Sequence, residues 1–225
     1  MSQFVPAAQR QVGALGRRDP FWPAQLTVAA AIALSLDLPS KITITQVWII
    51  PSIEGLLLLG LVMSTPWVPV SRHPQRRRVA LTLVCLVAAS NLVNLSLLVH
   101  HLLHDVLQGH GYQLVLAGVE IWLTNVLLFT VLYWELDRGG PMARRTEDLE
   151  PPDFLFVQMT EPKLGGLEWR ATYIDYLYTS FTNATAFSPT DTMPLTPVAK
   201  LMMLVQSGAS LLTLGMVFAR AINIL

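Results

Sequence analysis

The sequence predicts an all-α membrane protein with four transmembrane helices, a shorter re-entrant helix and a final transmembrane helix. Charged residues make up 13% of the 225 positions and hydrophobic ones 52%, against roughly 25% charged in a soluble domain. So few charges cannot coat a water-facing surface, and the mean hydropathy is +0.48. The apolar residues are also gathered into long blocks, and block length separates a membrane chain from a soluble one. Late in the chain an apolar segment too short to span is followed by a hydroxyl-rich interruption and then a long apolar run.

Residues 1–20 hold Arg10, Arg17 and Arg18 without the apolar core of a signal peptide. They read as an amphipathic surface helix or a disordered tail. Residues 21–136 form the four-helix transmembrane region. Its first block, Trp22–Leu38, barely reaches the ~20 residues that a span needs. Lys41–Thr45 alternates like a strand between Pro39 and Pro51. The second block, Ile50–Val68, opens at Pro51-Ser52 and closes at Pro66 and Pro69. The third, Val79–Leu103, has no charged residue and carries Ser90, Asn91, Asn94 and Ser96, groups that favour helix–helix contact in lipid. The fourth, Gln113–Leu136, contains Glu120 and Asn125. Residues 137–170 are a polar connector rich in Gly and Pro, and 171–225 hold the short segment Ala171–Phe187 and the helix Val198–Ile224.

Tyr176 to Thr196 gives a sub-spanning helix, a hydroxyl-rich extended piece with Asp191, and the start of a full helix. Irregular backbone at membrane depth is tolerated only where protein buries it or where it lines a watery cavity, which is the pattern of a re-entrant loop. This stretch resembles the pore-helix, filter and inner-helix module of tetrameric potassium-channel-like proteins. The resemblance places Ser180 in the pore helix, Ala184-Thr185 at the start of the filter and Asp191 just after it. Pro194 and Thr196 then lead into the inner helix, where Gly208, Ala209 and Ser210 stand in for a flexible gating glycine. It implies a homotetramer around a central passage. The final segment also resembles an uncharacterised bacterial family of multi-spanning membrane proteins, which implies the cell (inner) membrane and carries no function.

The filter departs from the family. A potassium filter reads TVGYG and replaces the hydration shell of the ion with carbonyls, whereas this chain has Ala186-Phe187-Ser188-Pro189-Thr190. Pro189 cannot take positive φ and holds Ser188 extended, so the carbonyl ladder cannot form in its usual shape. The expected lining is Thr185, Ser188, Thr190 and Thr192 with a ring of Asp191, which favours monovalent cations without selecting potassium. The alternative is an ordinary fifth span, Ala171–Phe187, followed by a capped Ser-Pro-Thr-Asp turn.

Arg72, Arg76, Arg77 and Arg78 crowd the loop between the second and third blocks. The positive-inside rule makes that loop, the N-terminus and residues 137–170 cytoplasmic. The re-entrant segment then enters from the cytoplasm, as in glutamate-receptor channels, or else Ala171–Phe187 spans fully. Glu120 is an intramembrane carboxylate and a candidate for an ion path. Glu54 and Asp175 are further candidates, although each lies early enough in its helix to act through the helix dipole. His100 and His104 share a helix face at i, i+4 and are weak metal candidates. Cys85 is the only cysteine, which excludes an internal disulfide and a cysteine-based metal site.

No phosphate loop, zinc-protease pair or nucleophile elbow occurs in the sequence, and no enzyme or cofactor is expected. A net charge of +0 gives no reason to expect nucleic acid. The expectation is a channel-like homo-oligomer in a lipid bilayer. A non-conducting membrane scaffold and a small proton-coupled transporter using Glu120 are the alternatives.

Overall fold

A computed structural model describes residues 21–37, 73–103, 111–141, 143–145, 150–161, 169–185 and 192–222, together with scattered helical positions between 52 and 59. Helix α1 is Trp22–Asp37, α2 is His73–Leu103 and α3 is Gly111–Leu136; strand β1 is Phe154–Phe156 and α4 is Val157–Thr160. Then come α5 (Tyr173–Ala184), β2 (Thr192–Pro194) and α6 (Pro197–Ile222). Among the described residues three helices, α2, α3 and α6, are long and apolar enough to cross a membrane, and α1 is a shorter apolar helix. This is the make-up of an all-α membrane protein.

Helix α3 is the hub, with α1, α2, α5 and α6 all packed on it. Lipid tails are as apolar as leucine, so helices in a bilayer associate through close packing and hydrogen bonds rather than escape from water. Both are visible here. Ala24, Val28, Ala31 and Ile32 recur at helical spacing on α1 and join Leu83, Val84, Val87, Leu128 and Val131 in one buried cluster. On the other side of α3, Gly118 lies directly against Val217 of α6, and a Cβ added there would overlap the Val217 side chain. Asn91 of α2 donates to the Ile121 carbonyl of α3 at 3.2 Å. The outward faces of α6, including Leu201, Leu204, Leu211 and Phe218, stay exposed and apolar, as a lipid-facing surface requires.

The helix boundaries differ from those read off hydropathy. Helix α2 starts at His73, not Val79, because Pro74 suits a first turn and the arginine-rich turn after it continues the helix beyond the apolar block. The stretch 137–170, expected as a plain connector, carries β1, whose Phe154 and Phe156 are buried. It pairs antiparallel with β2, with Phe154 opposite Pro194, Leu155 opposite Met193 and Phe156 opposite Thr192. The N–H of Leu195 donates to the Asp153 carbonyl at 2.8 Å and extends the ladder. A two-stranded sheet, in which both strands are edges, tolerates Pro194, whose missing N–H would break an interior ladder.

Helix α5 has 12 residues, a length of about 18 Å against a hydrocarbon core of about 30 Å. Its first turns lie at the C-terminal end of α3, where the Tyr176 hydroxyl donates to Asp137 Oδ2 at 2.7 Å. Its last turn lies beside the middle of α3, where Trp122 Nε1 donates to the Ala184 carbonyl at 3.3 Å. By Thr192 the chain is back beside the helix, with Thr192 Oγ1 at 3.0 Å from Thr179 Oγ1, and β2 rejoins β1 next to Asp137. Helix α6 then runs along α3 in the opposite sense, Gln206 meeting Tyr133, Ser210 meeting Asn125 and Val217 meeting Gly118.

Candidate functional site

Two polar assemblies hold this hairpin. The deeper one lies among α3, α5 and α6 and centres on Gln206, which is fully buried. Its Oε1 accepts from the Tyr133 hydroxyl at 2.6 Å and from Asn183 Nδ2 at 2.7 Å. Its Nε2 donates to Ser180 Oγ at 2.7 Å and to the Ser180 carbonyl at 3.0 Å. Ser180 in turn donates to the Val126 carbonyl of α3 at 2.7 Å. One turn further along α6, Ser210 Oγ accepts from Asn125 Nδ2 at 2.8 Å. Ser207 donates to Asn183 Oδ1 at 3.0 Å. An unmet amide in a low-dielectric interior is costly, and the amides of Gln206, Asn183 and Asn125 are each answered from a neighbouring helix. The network fixes the rotation of α5 against both long helices.

The second assembly sits at the C-terminal end of α3. There the chain turns through Arg138 (φ 52), Gly139 (φ 75) and Gly140 (φ 98), a left-handed run in which only glycine is unstrained. Asp137 is buried. Its Oδ1 accepts the Asp153 N–H at 2.8 Å and the Phe154 N–H at 3.3 Å, so the carboxylate that receives Tyr176 also anchors β1. Asp153 accepts from Thr196 Oγ1 at 2.7 Å, tying the start of α6 to the same corner. Arg144, also buried, donates to the carbonyls of Trp134 at 2.7 Å and Asp137 at 2.8 Å. Its guanidinium lies 5.7 Å from the Trp134 ring centre and 5.3 Å from that of Tyr176, a cation–π arrangement. Across the corner, Arg77 Nη2 donates to the Glu135 carbonyl at 2.9 Å, with Nε at 3.8 Å from Glu135 Oε2.

The expected site residues distribute unevenly over this frame. Ala186, Phe187, Ser188, Pro189, Thr190 and Asp191, the heart of the filter-like stretch, lie outside the described residues, as do Glu54 and His104. Thr185 caps α5, its hydroxyl turned back to the carbonyls of Phe181 and Thr182, each at 3.1 Å. Thr192, expected as pore lining, is buried against Thr179 within the protomer, because strand pairing with Phe156 turns it inward. Asp175 is not a group deep among the helices: its carboxylate accepts from Thr172 N at 2.6 Å and Thr172 Oγ1 at 2.7 Å, which closes the first turn of α5. Ser210, expected as a gating residue, is locked to Asn125, whereas a Cβ built on Gly208 meets nothing within 4 Å. Asn94 is buried on α2, Glu120 is half-buried on α3 and His100 is exposed on α2. Gln206, Asn183, Tyr133 and Asp137 were missed. Gln206 had a readable signal, being the only side-chain amide in the 26 residues of α6.

No family model matches the chain, and neither a curated protein nor a solved structure matches it.

Proposed function

We propose that the protein is a channel-like membrane protein in which α5 and residues 186–191 form a re-entrant loop that contributes to a cation passage between copies of the chain. The observation that carries this reading is the 12-residue α5, which starts beside Asp137 and ends beside Trp122 in mid-α3 before β2 returns to the Asp137 end. A helix ending at that depth directs the partial negative charge of its carbonyl end towards the bilayer centre, a position that favours a cation. A re-entrant segment at that depth needs shelter from lipid, and neighbouring copies of the chain would supply it, with a tetramer as the favoured assembly. Asp191, beside Thr190 and Thr192 in sequence, is the acid assigned to the passage. The lining is hydroxyl and carboxylate rather than a carbonyl ladder, so hydrated monovalent cations pass without selection for potassium.

A second reading has its own observation. The polar side chains of α5 described above bond within one protomer, with Ser180, Asn183 and Thr179 all satisfied by α3, α6 or β2. A membrane scaffold that never conducts would look the same in this respect. Flux of monovalent cations into proteoliposomes separates the two. The channel reading expects parent flux well above that of empty vesicles and a fall of several-fold in Asp191→Asn. Background flux from both proteins overturns it and leaves the scaffold.

A further inference from the structure

Arg138, Arg144 and Arg170 line one small cavity at the C-terminal end of α3, together with Asp137, Trp169 and Tyr176. Three guanidinium groups facing one space repel each other unless an anion joins them. The lining acid, Asp137, offsets only one of the three charges. Asp137 gives its two carboxylate oxygens to the Asp153 and Phe154 N–H groups and to the Tyr176 hydroxyl, and Asp153 gives its own to the Arg138 N–H and Thr196. Among the described residues neither Arg138 nor Arg170 has a carboxylate within ion-pair distance. The guanidinium of Arg138 rests on the thioether of Met159 at 3.8 Å, a weak acceptor, and that of Arg170 donates to the Arg144 carbonyl. Arg144 donates to the Trp134 and Asp137 carbonyls and lies over two ring faces. Arg138 also stands at φ 52, a conformation that disfavours a non-glycine residue, and so holds its side chain over the cavity at a cost to the backbone.

We propose that this cavity binds a phosphate-bearing anion, with Arg138 and Arg170 as the two groups that grip it and Arg144 as the fixed positive wall behind them. Guanidinium forks match phosphate oxygens in pairs, and basic pockets beside transmembrane helices suit the headgroups of anionic lipids. Trp169 at the rim suits the headgroup level. The site is separate from the proposed passage and does not depend on it.

The test is thermal unfolding of the full chain in neutral detergent, followed by tryptophan fluorescence. The ligands are phosphatidylglycerol, inorganic phosphate and, as control, phosphatidylcholine. The variants are Arg138→Asn with Arg170→Gln, asparagine being chosen because it tolerates left-handed backbone. Arg78→Gln, an exposed charge on α2, is the matched control. The expected result is a saturable rise of at least about 3 °C with phosphatidylglycerol, kept in Arg78→Gln and lost in the double variant. The same pattern with inorganic phosphate alone assigns the site to a soluble phosphate. A rise equal to that with phosphatidylcholine, no rise with either anion, or a rise that survives in the double variant overturns the proposal. So does equal loss in Arg78→Gln, which would mark a diffuse charge effect. Should the double variant fail to fold, Arg170→Gln alone is read, and at least a threefold weaker concentration dependence is expected.

Discussion

At the scale of single residues, Gln206 decides how α5 is held. Its amide answers four groups at once, from Tyr133, Asn183 and Ser180, and each partner loses a bond if it is removed. Bonds between helices in a bilayer contribute about 0.6 kcal/mol on average and up to about 1.7, while a buried group left unmet costs roughly 1–3 kcal/mol. Gln206→Leu keeps the volume and removes the polar contacts. It should destabilise the fold by roughly 2–3 kcal/mol, measured by reversible unfolding in mixed micelles. Ser207→Ala, at the half-buried neighbour with bonds to Asn183 alone, should stay within about 1 kcal/mol. Equal effects from the two substitutions would mean that the network fills space without fastening α5.

At the scale of elements, close approach of α3 and α6 rests on Gly118, which Val217 touches. Gly118→Ala inserts a methyl where Val217 stands, and overpacking of this kind costs about 1–3 kcal/mol. Gly118→Ala should therefore lower the unfolding midpoint by several degrees, and Gly118→Ala with Val217→Ala should recover most of the loss. If Val217→Ala brings no recovery, the helices meet elsewhere. The long elements were legible in the sequence because a bilayer demands a length of apolar chain, and the blocks at 79–103 and 113–136 fall inside α2 and α3. The short α5 was legible for the same reason, since too few apolar residues precede Ser188-Pro189. The β1–β2 pair was not. Phe154-Leu155-Phe156 and Thr192-Met193-Pro194 are three residues each and lack a strand alternation, the second contains a proline, and nothing local specifies their pairing across the intervening chain. The polar network was half-legible: Asn125 stood out as a polar residue inside an apolar span, but Tyr133 and Asn183 acquire their role only from the rotation of α5 against α3.

At the scale of the whole molecule, the described geometry brings the start of α5 and strand β2 to one end of the bundle, and the positive-inside rule predicts its side. Arg77 is bonded to Glu135 near the C-terminal end of α3, and Arg138, Arg144 and Arg170 gather there too. Positive residues flanking spans favour the cytoplasm, so β1, β2 and both arms of the hairpin should face it, with the start of α3 on the opposite side. Exposed positions for a test are Thr160 beside β1, Met193 in β2 and Tyr112 at the start of α3. After Cys85, itself exposed, is replaced by serine, a single cysteine at each of these is offered a membrane-impermeant thiol reagent. In right-side-out vesicles Tyr112→Cys should react, while Thr160→Cys and Met193→Cys should react only in inverted ones. A fully spanning Ala171–Phe187 makes the opposite demand, because it carries Met193 across the bilayer to the side of Tyr112. The hairpin reading needs Thr160 and Met193 to behave alike, and the arginine argument needs that shared side to be the cytoplasmic one. Labelling of Met193→Cys and Thr160→Cys from opposite sides defeats the first, and labelling of both from outside defeats only the second.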